Sequence, residues 1–322
     1  MRMLDVDIAK GEHKIVNLDI ARLHTGTTLN VPVIIERGLE DGPCVLLTAG
    51  IHGDEMNGVE IVRQIVAKGY NRPQKGTVIC IPVVNVFGFL NKTREFPDGR
   101  DLNRVFPGSK KGSLASRFAY HLIAYIAPHI DYCIDYHTGG DARFNYSQIR
   151  LDASDQDTLE LAKVFGAKFI VDAANRDKSF RKTLSKMGKQ VLLYEGGQSL
   201  TLDRTVTKVG ILGALRVMQH LGMRDFSQEI EKYAAHSTTP LVFINKSAWI
   251  RAKHSGMFRT EVKLGSWVEQ GTKLGSISNP YGNFEADVKA SSSGYVICTN
   301  HASIVNQGDA LLHISKECTG NF

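Results

Sequence analysis

His52 and Glu55 stand three residues apart in the stretch Thr48-Ala49-Gly50-Ile51-His52-Gly53-Asp54-Glu55-Met56-Asn57-Gly58. That spacing puts both side chains on one face of a first helical turn. An imidazole and a carboxylate converging there can hold two coordination positions of a divalent metal. Zinc accepts such a mixed set, and a catalytic zinc takes three protein ligands plus water. The alternative is a plain surface turn. Position favours the metal: the apolar run Cys44-Val45-Leu46-Leu47 feeds in as a buried strand, and a helical pattern over 59–67 follows. Gly50, Gly53 and Gly58 clear room for close backbone approach.

Two later stretches repeat the same placement. Tyr132-Cys133-Ile134-Asp135-Tyr136-His137 reads as a strand ending at Thr138-Gly139-Gly140. If the strands are parallel, His137 lies at the same sheet edge as His52, where open α/β sheets build their sites. Asp135, two residues earlier, shares the face of His137 and either supports the site or pairs nearby. The run Gln190-Val191-Leu192-Leu193-Tyr194 leads into Glu195-Gly196-Gly197. A carboxylate at that strand end is a general base or a helix-capping acid. His121 and His129 lack such a position and read as ordinary helix or surface residues.

Between the first two stretches lies a long loop over 86–112, rich in Gly, Pro, Asn and Arg. Long loops in compact domains are commonly functional. Its arginines would be costly to bury without anionic partners, and a guanidinium offers a planar fork suited to a carboxylate. A solvated loop tied by local ion pairs is the plainer reading.

The elements that must position these residues follow from periodicity and punctuation. Residues 13–37 give two strands around Thr25-Gly26-Thr27-Thr28. A second buried strand covers 76–85, helices cover 114–127, 156–165 and 203–221, and a short strand covers 167–171. Alternating strands and helices predict an α/β fold, a mixed, mainly parallel sheet with helices on both faces. From residue 240 the composition turns strand-rich. There, 268–277 and 305–314 repeat one pattern: valine, Gln-Gly, leucine and isoleucine at matching places. This predicts a small, pseudo-symmetric, C-terminal all-β domain. The chain is accordingly divided into 1–237, catalytic, and 238–322, β-structured.

Composition narrows the function classes. The 322 residues support a large core and more than one domain. No apolar run reaches the length of a membrane span, and the first residues carry acids rather than a signal core. The five cysteines form no Cys-x-x-Cys pair, which fits a reducing, cytoplasmic compartment. The net charge is +6, densest over 176–189, yet no aromatic-interleaved basic motif of a nucleic-acid module is present. A small anionic substrate accounts for the excess better than nucleic acid, with a merely basic solvated surface as the alternative; neither nucleic acid nor a membrane is expected as a partner. A homo-oligomer is compatible with all of this.

Taken together, the motifs resemble the succinylglutamate desuccinylase/aspartoacylase family of the zinc carboxypeptidase superfamily. The resemblance rests on Gly50-Ile51-His52-Gly53-Asp54-Glu55, on Arg100-Asp101-Leu102-Asn103-Arg104-Val105-Phe106-Pro107-Gly108, on Asp135-Tyr136-His137-Thr138 and on Glu195-Gly196-Gly197. It implies a zinc-carboxypeptidase-like fold and one zinc per subunit held by His52, Glu55 and His137. It implies Glu195 as general base and acid, and Asn103 and Arg104 as the grip on a substrate carboxylate. Arg94 would polarise the scissile carbonyl, with Arg100 as the other candidate, and Arg150 would be a further anion contact. The implied reaction is hydrolysis of the amide of a small anionic N-acyl amino acid, of acetyl or succinyl type. A zinc carboxypeptidase acting on small peptides and a non-catalytic binding or assembly protein are the alternatives. The tail resembles the biotinyl/lipoyl-like barrel-sandwich hybrid, which implies a small C-terminal all-β barrel-sandwich domain. Its tip, Asn279-Pro280-Tyr281-Gly282-Asn283, has no carrier lysine, so a lid or assembly role is expected rather than a swinging arm.

Overall fold

The structure, a computed structural model, describes residues 1–22, 26, 28–234 and 240–321. A small ribbon of β1 (Arg2–Met3) and β2 (Val6–Asp7) precedes the main sheet. β3 (His13–Arg22) and β4 (Thr28–Arg37) form the antiparallel pair expected over 13–37. The turn expected at 25–28 falls largely outside the described residues. β5 (Glu40–Ala49) leads to α1 (Met56–Ala67), and β6 (Lys75–Ile81) returns in parallel beside β5.

The stretch expected to be a long loop is partly ordered. It holds α2 (Val86–Asn91) and a 3-10 turn, Leu102–Arg104. Short polar caps explain both: Asn85 Oδ1 accepts from Gly88 N at 2.9 Å, and Asp101 Oδ1 from Asn103 N at 2.8 Å. α3 (Leu114–Ile126), β7 (Tyr132–Gly139) and β8 (Arg143–Leu151) follow. Then come α4 (Gln156–Phe165), β9 (Phe169–Asp172), α5 (Phe180–Lys186), β10 (Gln190–Gln198), α6 (Arg204–His220) and α7 (Ser227–Ala234). Two of these are additions to the sequence reading. β8 alternates polar and apolar residues and carries no continuous hydrophobic run. α7 is a further helix beyond Gly222, where the last helix of this unit was expected to end.

β6, β5, β7 and β10 form a parallel block at the middle of the large sheet. The expectation of a mainly parallel sheet holds only there and for β8–β9–β11. β3 and β4 on one side, and β8 against β10 on the other, are antiparallel. The continuous apolar strands serve both faces. Cys44 and Leu46 pack toward α3 and α5, while Val45 and Leu47 pack toward α1, α4 and α6. Each fully buried side chain such as Ile61 or Phe165 contributes about 1.5–3 kcal/mol.

The C-terminal strands are β11 (Val242–Arg251), β12 (Gly256–Thr260), β13 (Trp267–Val268), β14 (Lys273–Ser278), β15 (Glu285–Lys289), β16 (Gly294–Asn300), β17 (Ile304–Val305) and β18 (Ala310–Asn321). β12, β14, β15 and β17 make a four-stranded sheet. The internal repeat builds the core beside it: Val268 and Val305, Leu274 and Leu311, and Ile277 and Ile314 share one apolar cluster. Against the expectation of a separate β unit, the other C-terminal strands continue the large sheet. β11 pairs in parallel with β9 at Val242–Ile244, and β16 pairs with β8 at Cys298–Asn300. These pairings give the edges of β8 and β9 their backbone partners. The boundary expected at 237–238 lies outside the described residues.

Candidate metal centre and active site

β5 ends at Ala49, and Gly50 turns the chain with φ +63°, a conformation that disfavours a side chain. Its carbonyl accepts from Asn85 N at 2.7 Å. A Cβ on Gly53 would lie 1.9 Å from the Gly88 carbonyl carbon, so only glycine lets α2 pack here. α1 begins at Met56, with Glu55 at its N-cap. The expected helical face for His52 and Glu55 is thus a correction to make: His52 precedes the helix, and the tight turn brings the two together. Glu55 N donates to His52 O at 3.3 Å. β7 supplies His137, and parallel pairing places it directly beside Glu195 of β10.

His52, Glu55 and His137 are buried, and their ligand atoms lie within 4.8 Å of one another. Glu55 Oε1 is 2.7 Å from His52 Nδ1, and Oε2 is 2.9 Å from His137 Nδ1. Each ring turns its other nitrogen to a second carboxylate. His52 Nε2 is 3.2 Å from Asp101 Oδ1, and His137 Nε2 is 2.9 Å from Asp135 Oδ2. Asp135 is fixed in turn by Thr48 Oγ1, which donates at 2.8 Å. Arg94 donates to Asp101 Oδ2 from Nε at 3.1 Å and Nη2 at 2.9 Å, and to Glu55 Oε1 from Nη1 at 3.3 Å.

Burial works against charge at Glu55, yet His52 and His137 hold its carboxyl well below the usual range. Burial likewise opposes protonation of the imidazoles. Glu55 with Asp101 raises His52, and Asp135 with Glu55 raises His137 well above the ordinary histidine value. The donor set fits a divalent metal: two imidazole nitrogens and a carboxylate converge. Each imidazole has a carboxylate behind it, as metal-ligating histidines require.

The cavity over this cluster measures about 620 Å³. Arg94, Asn103, Arg104, Arg150 and Glu195 all line it. Glu195 is half-buried, and its Oε2 accepts from Asn145 Nδ2 at 2.8 Å. Asn103 Oδ1 accepts from Phe180 N at 2.8 Å, which leaves its amide group to donate elsewhere. Arg104 spends Nη1 on Asn103 O at 2.6 Å. Arg100 does not join them. Its side chain is mostly exposed, pairs with Asp98 at 3.5 Å and lies outside the cavity lining. Of the two arginines, Arg94 is the one that lies beside the cluster.

Sequence reasoning missed three residues and one wall of the cavity. Asp101 stands inside a quoted motif, but nothing local marks it as the partner of His52. Asn145 lies on a strand that carried no signal. Arg181 sits in a basic run, yet it is 7% exposed and faces the cavity. Trp249, Arg251, Cys298 and Asp309 form a wall from the C-terminal strands.

Residues 41–221 match the model of the succinylglutamate desuccinylase/aspartoacylase catalytic domain. The chain belongs to this family. One similar protein is the N-alpha-acetyl-L-2,4-diaminobutyric acid deacetylase of Halomonas elongata. It is 28% identical over 303 residues, covering 89% of this chain and 85% of the relative. The solved succinylglutamate desuccinylase/aspartoacylase from Rhodobacter sphaeroides superposes with a TM-score of 0.84. It is 26% identical and covers 98% of this chain and 100% of its own. The ectoine utilization protein EutE (DoeB) from Ruegeria pomeroyi, in a product-bound structure, shares the fold. Its TM-score is 0.83 at 20% identity, with 97% and 98% covered.

The catalytic-domain match contains every candidate residue from His52 to Glu195. The wall of Trp249, Arg251, Cys298 and Asp309 lies outside it. Both solved relatives extend over nearly the whole chain, so the mixed α/β architecture, C-terminal strands included, is a property of the family fold.

Proposed function

We propose that the chain is a zinc-dependent hydrolase that cleaves the amide bond of N-acyl amino acids. One observation carries the reading. A buried His-Glu-His donor set lies at the strand ends, with Glu195 next to His137 in register and a cavity of small-molecule size above them. Membership of the family and the deacetylase activity named for the Halomonas relative support it.

His52, Glu55 and His137 would hold the zinc. When bound, zinc lowers the pKa of water to about 7 and polarises a carbonyl. Glu195, steadied by Asn145, takes the proton from the attacking water and returns it to the leaving nitrogen. Arg94 is anchored on Asp101 and Glu55 beside the cluster, where it faces the scissile carbonyl oxygen. Asn103 and Arg104 hold the carboxylate of the amino-acid half and fix the amide against the catalytic groups. In this reading residues 1–237 carry the chemistry, and 238–322 close one side of the cavity. That closure favours small acyl amino acids over longer peptides.

The test is hydrolysis of a panel of N-acetyl and N-succinyl amino acids by the zinc-loaded chain, with chelated protein as control. Zinc-dependent release of a free amine is the expected result. Absence of turnover on the whole panel, with one zinc bound per chain, would sink the reading. Turnover of dipeptides alone would replace it with the carboxypeptidase alternative.

A further inference from the structure

β8 is irregular where it runs beside Glu195. Glu195 pairs with Gln148 and Gly197 with Asn145, so two steps along β10 answer three along β8. An extra residue of this kind bends a strand and re-aims its side chains, and such bulges recur next to active sites. Directly opposed residues of an antiparallel pair share a face. The bulge therefore sets two amides, Asn145 and Gln148, on the face that carries Glu195. Ser147, between them, is turned the other way, where its Oγ meets the Tyr194 hydroxyl at 2.8 Å.

The two amides differ in what they hold. Asn145 Nδ2 donates to Glu195 Oε2 at 2.8 Å. Gln148 is fully buried, and among the described residues neither its Oε1 nor its Nε2 has a hydrogen-bond partner. A buried amide without partners is costly, and an apolar residue could fill the same space without that cost. Such a group in a native fold calls for a role.

The surroundings of Gln148 narrow that role. On one side the ladder places it beside Phe169 of β9, an apolar side chain buried with Val171, Val242, Ile244 and Ile297. On the other side stands Glu195. Opposed Cβ atoms across an antiparallel pair lie about 4.5–5.5 Å apart, within reach of two side chains of this length. Two residues along β8, Arg150 has its Nε buried and unpaired, a donor suited to the amide oxygen of Gln148. Asn145, Arg150 and Glu195 line the cavity, whereas Gln148 does not. Gln148 is thus placed to touch the carboxylate of Glu195 from behind and not to touch a substrate.

We propose that Gln148 is a positioning residue for Glu195. Rotation of the two side chains brings Gln148 Nε2 to Glu195 Oε1, while Asn145 keeps Oε2, so that the carboxylate is held between two amides. A single hydrogen bond leaves the carboxylate free to turn about it, and the second removes that freedom. A carboxylate has about four acceptor positions, so each oxygen keeps one for the proton it must handle. The proposal rests on the deacylase reading for its link to catalysis.

The experiment measures kcat, KM and zinc content for Gln148→Met, Glu195→Ala and the double variant, with the Tm of these proteins and of wild type, all zinc-loaded. Methionine matches glutamine in length without its polar atoms. Gln148→Met should lower kcat by about 10- to 100-fold, with KM and zinc content unchanged. It should add nothing to Glu195→Ala, where the carboxylate is already gone. Gln148→Asn keeps the amide but draws it back by one methylene. Its kcat should fall between wild type and Gln148→Met, which gives a reading should the methionine variant not fold. A packing role alone would move KM and zinc content as well and would persist in the Glu195→Ala background. That outcome overturns the proposal, and so does an unchanged kcat in both Gln148 variants, which leaves the deacylase reading standing. If no N-acyl amino acid turns over, the deacylase reading fails and the Tm values decide for Gln148. Non-additive shifts in the double variant keep the amide on the carboxylate; additive shifts remove it.

Discussion

At the metal end of the cavity the clustered charges face opposite ones; the exception is Asp54, whose buried Oδ1 has no partner and whose carboxyl is raised by burial and by Glu55. Glu55 lies between two imidazoles and Arg94, Asp101 between His52 and Arg94, and Asp135 between His137 and Thr48. At the β8 end, Arg150 and Arg181 line the cavity without a carboxylate in salt-bridge distance among the described residues, and nearby polar atoms of Gln148, Arg150 and His313 are buried without partners. The first end is internally balanced and holds its geometry without a substrate. The second keeps polar groups without partners and guanidiniums without paired carboxylates. A site that must place reactive groups within tenths of an ångström benefits from the first design. A site that must choose among ligands benefits from the second, because a wrong ligand leaves the polar groups unpaired.

The largest test of this contrast removes a member of the balanced end. His52→Ala should abolish metal binding and reduce turnover to background, as read by metal analysis and substrate assay. A variant that retained one metal per chain would show that the donor set lies elsewhere. Glu195→Gln should keep the metal and lower kcat by about 100- to 10,000-fold, the range for a positioned general base. Near-normal turnover would remove Glu195 from that role.

Asp101→Asn should weaken metal affinity or activity by about 10- to 100-fold, since it strips the carboxylate from behind His52. Arg150→Gln should bind metal as wild type does. If both variants lost metal equally, the two ends would not be independent. The smallest effect concerns pH. His52 and His137 have raised folded-state values, so protonation stabilises the metal-free fold. That contribution is complete below the ordinary histidine pKa of about 6.5 and is lost as pH rises through the raised values. A metal requires both rings neutral, so its affinity should climb with pH through the neutral range, with about two protons released per ion. Calorimetry in buffers of different ionisation enthalpy would measure this; a pH-independent affinity would contradict it.

The grouping of His52, Glu55 and His137 was legible in the sequence because each of these residues is announced locally. An apolar strand, a glycine turn and a chemically suited residue coincide at 44–55 and again at 132–140. The β8 end offered no such signal. Arg150 and Gln148 lie on a strand whose apolar positions alternate, and Arg181 is embedded in a run that reads as solvated. Trp249 and Cys298 come from distant strands that reach the cavity only through sheet pairing. Arg100 shows the converse error. It stands beside Asp101 in the motif, but the turn capped by Asp101 leaves it on the surface with Asp98. The helical geometry expected for His52 failed for a related reason. Residue spacing alone does not distinguish a first helical turn from the tight turn that precedes it.

The pairing of β11 with β9 and of β16 with β8 also bears on how the chain tolerates being shortened. A chain cut after residue 234 would leave the N–H and C=O groups of β9 facing open solvent along one edge. Bare edges of that kind recruit strands from other molecules. Trimming the C-terminal strands is thus expected to yield aggregates rather than a smaller enzyme, because those strands insulate the sheet against its own copies.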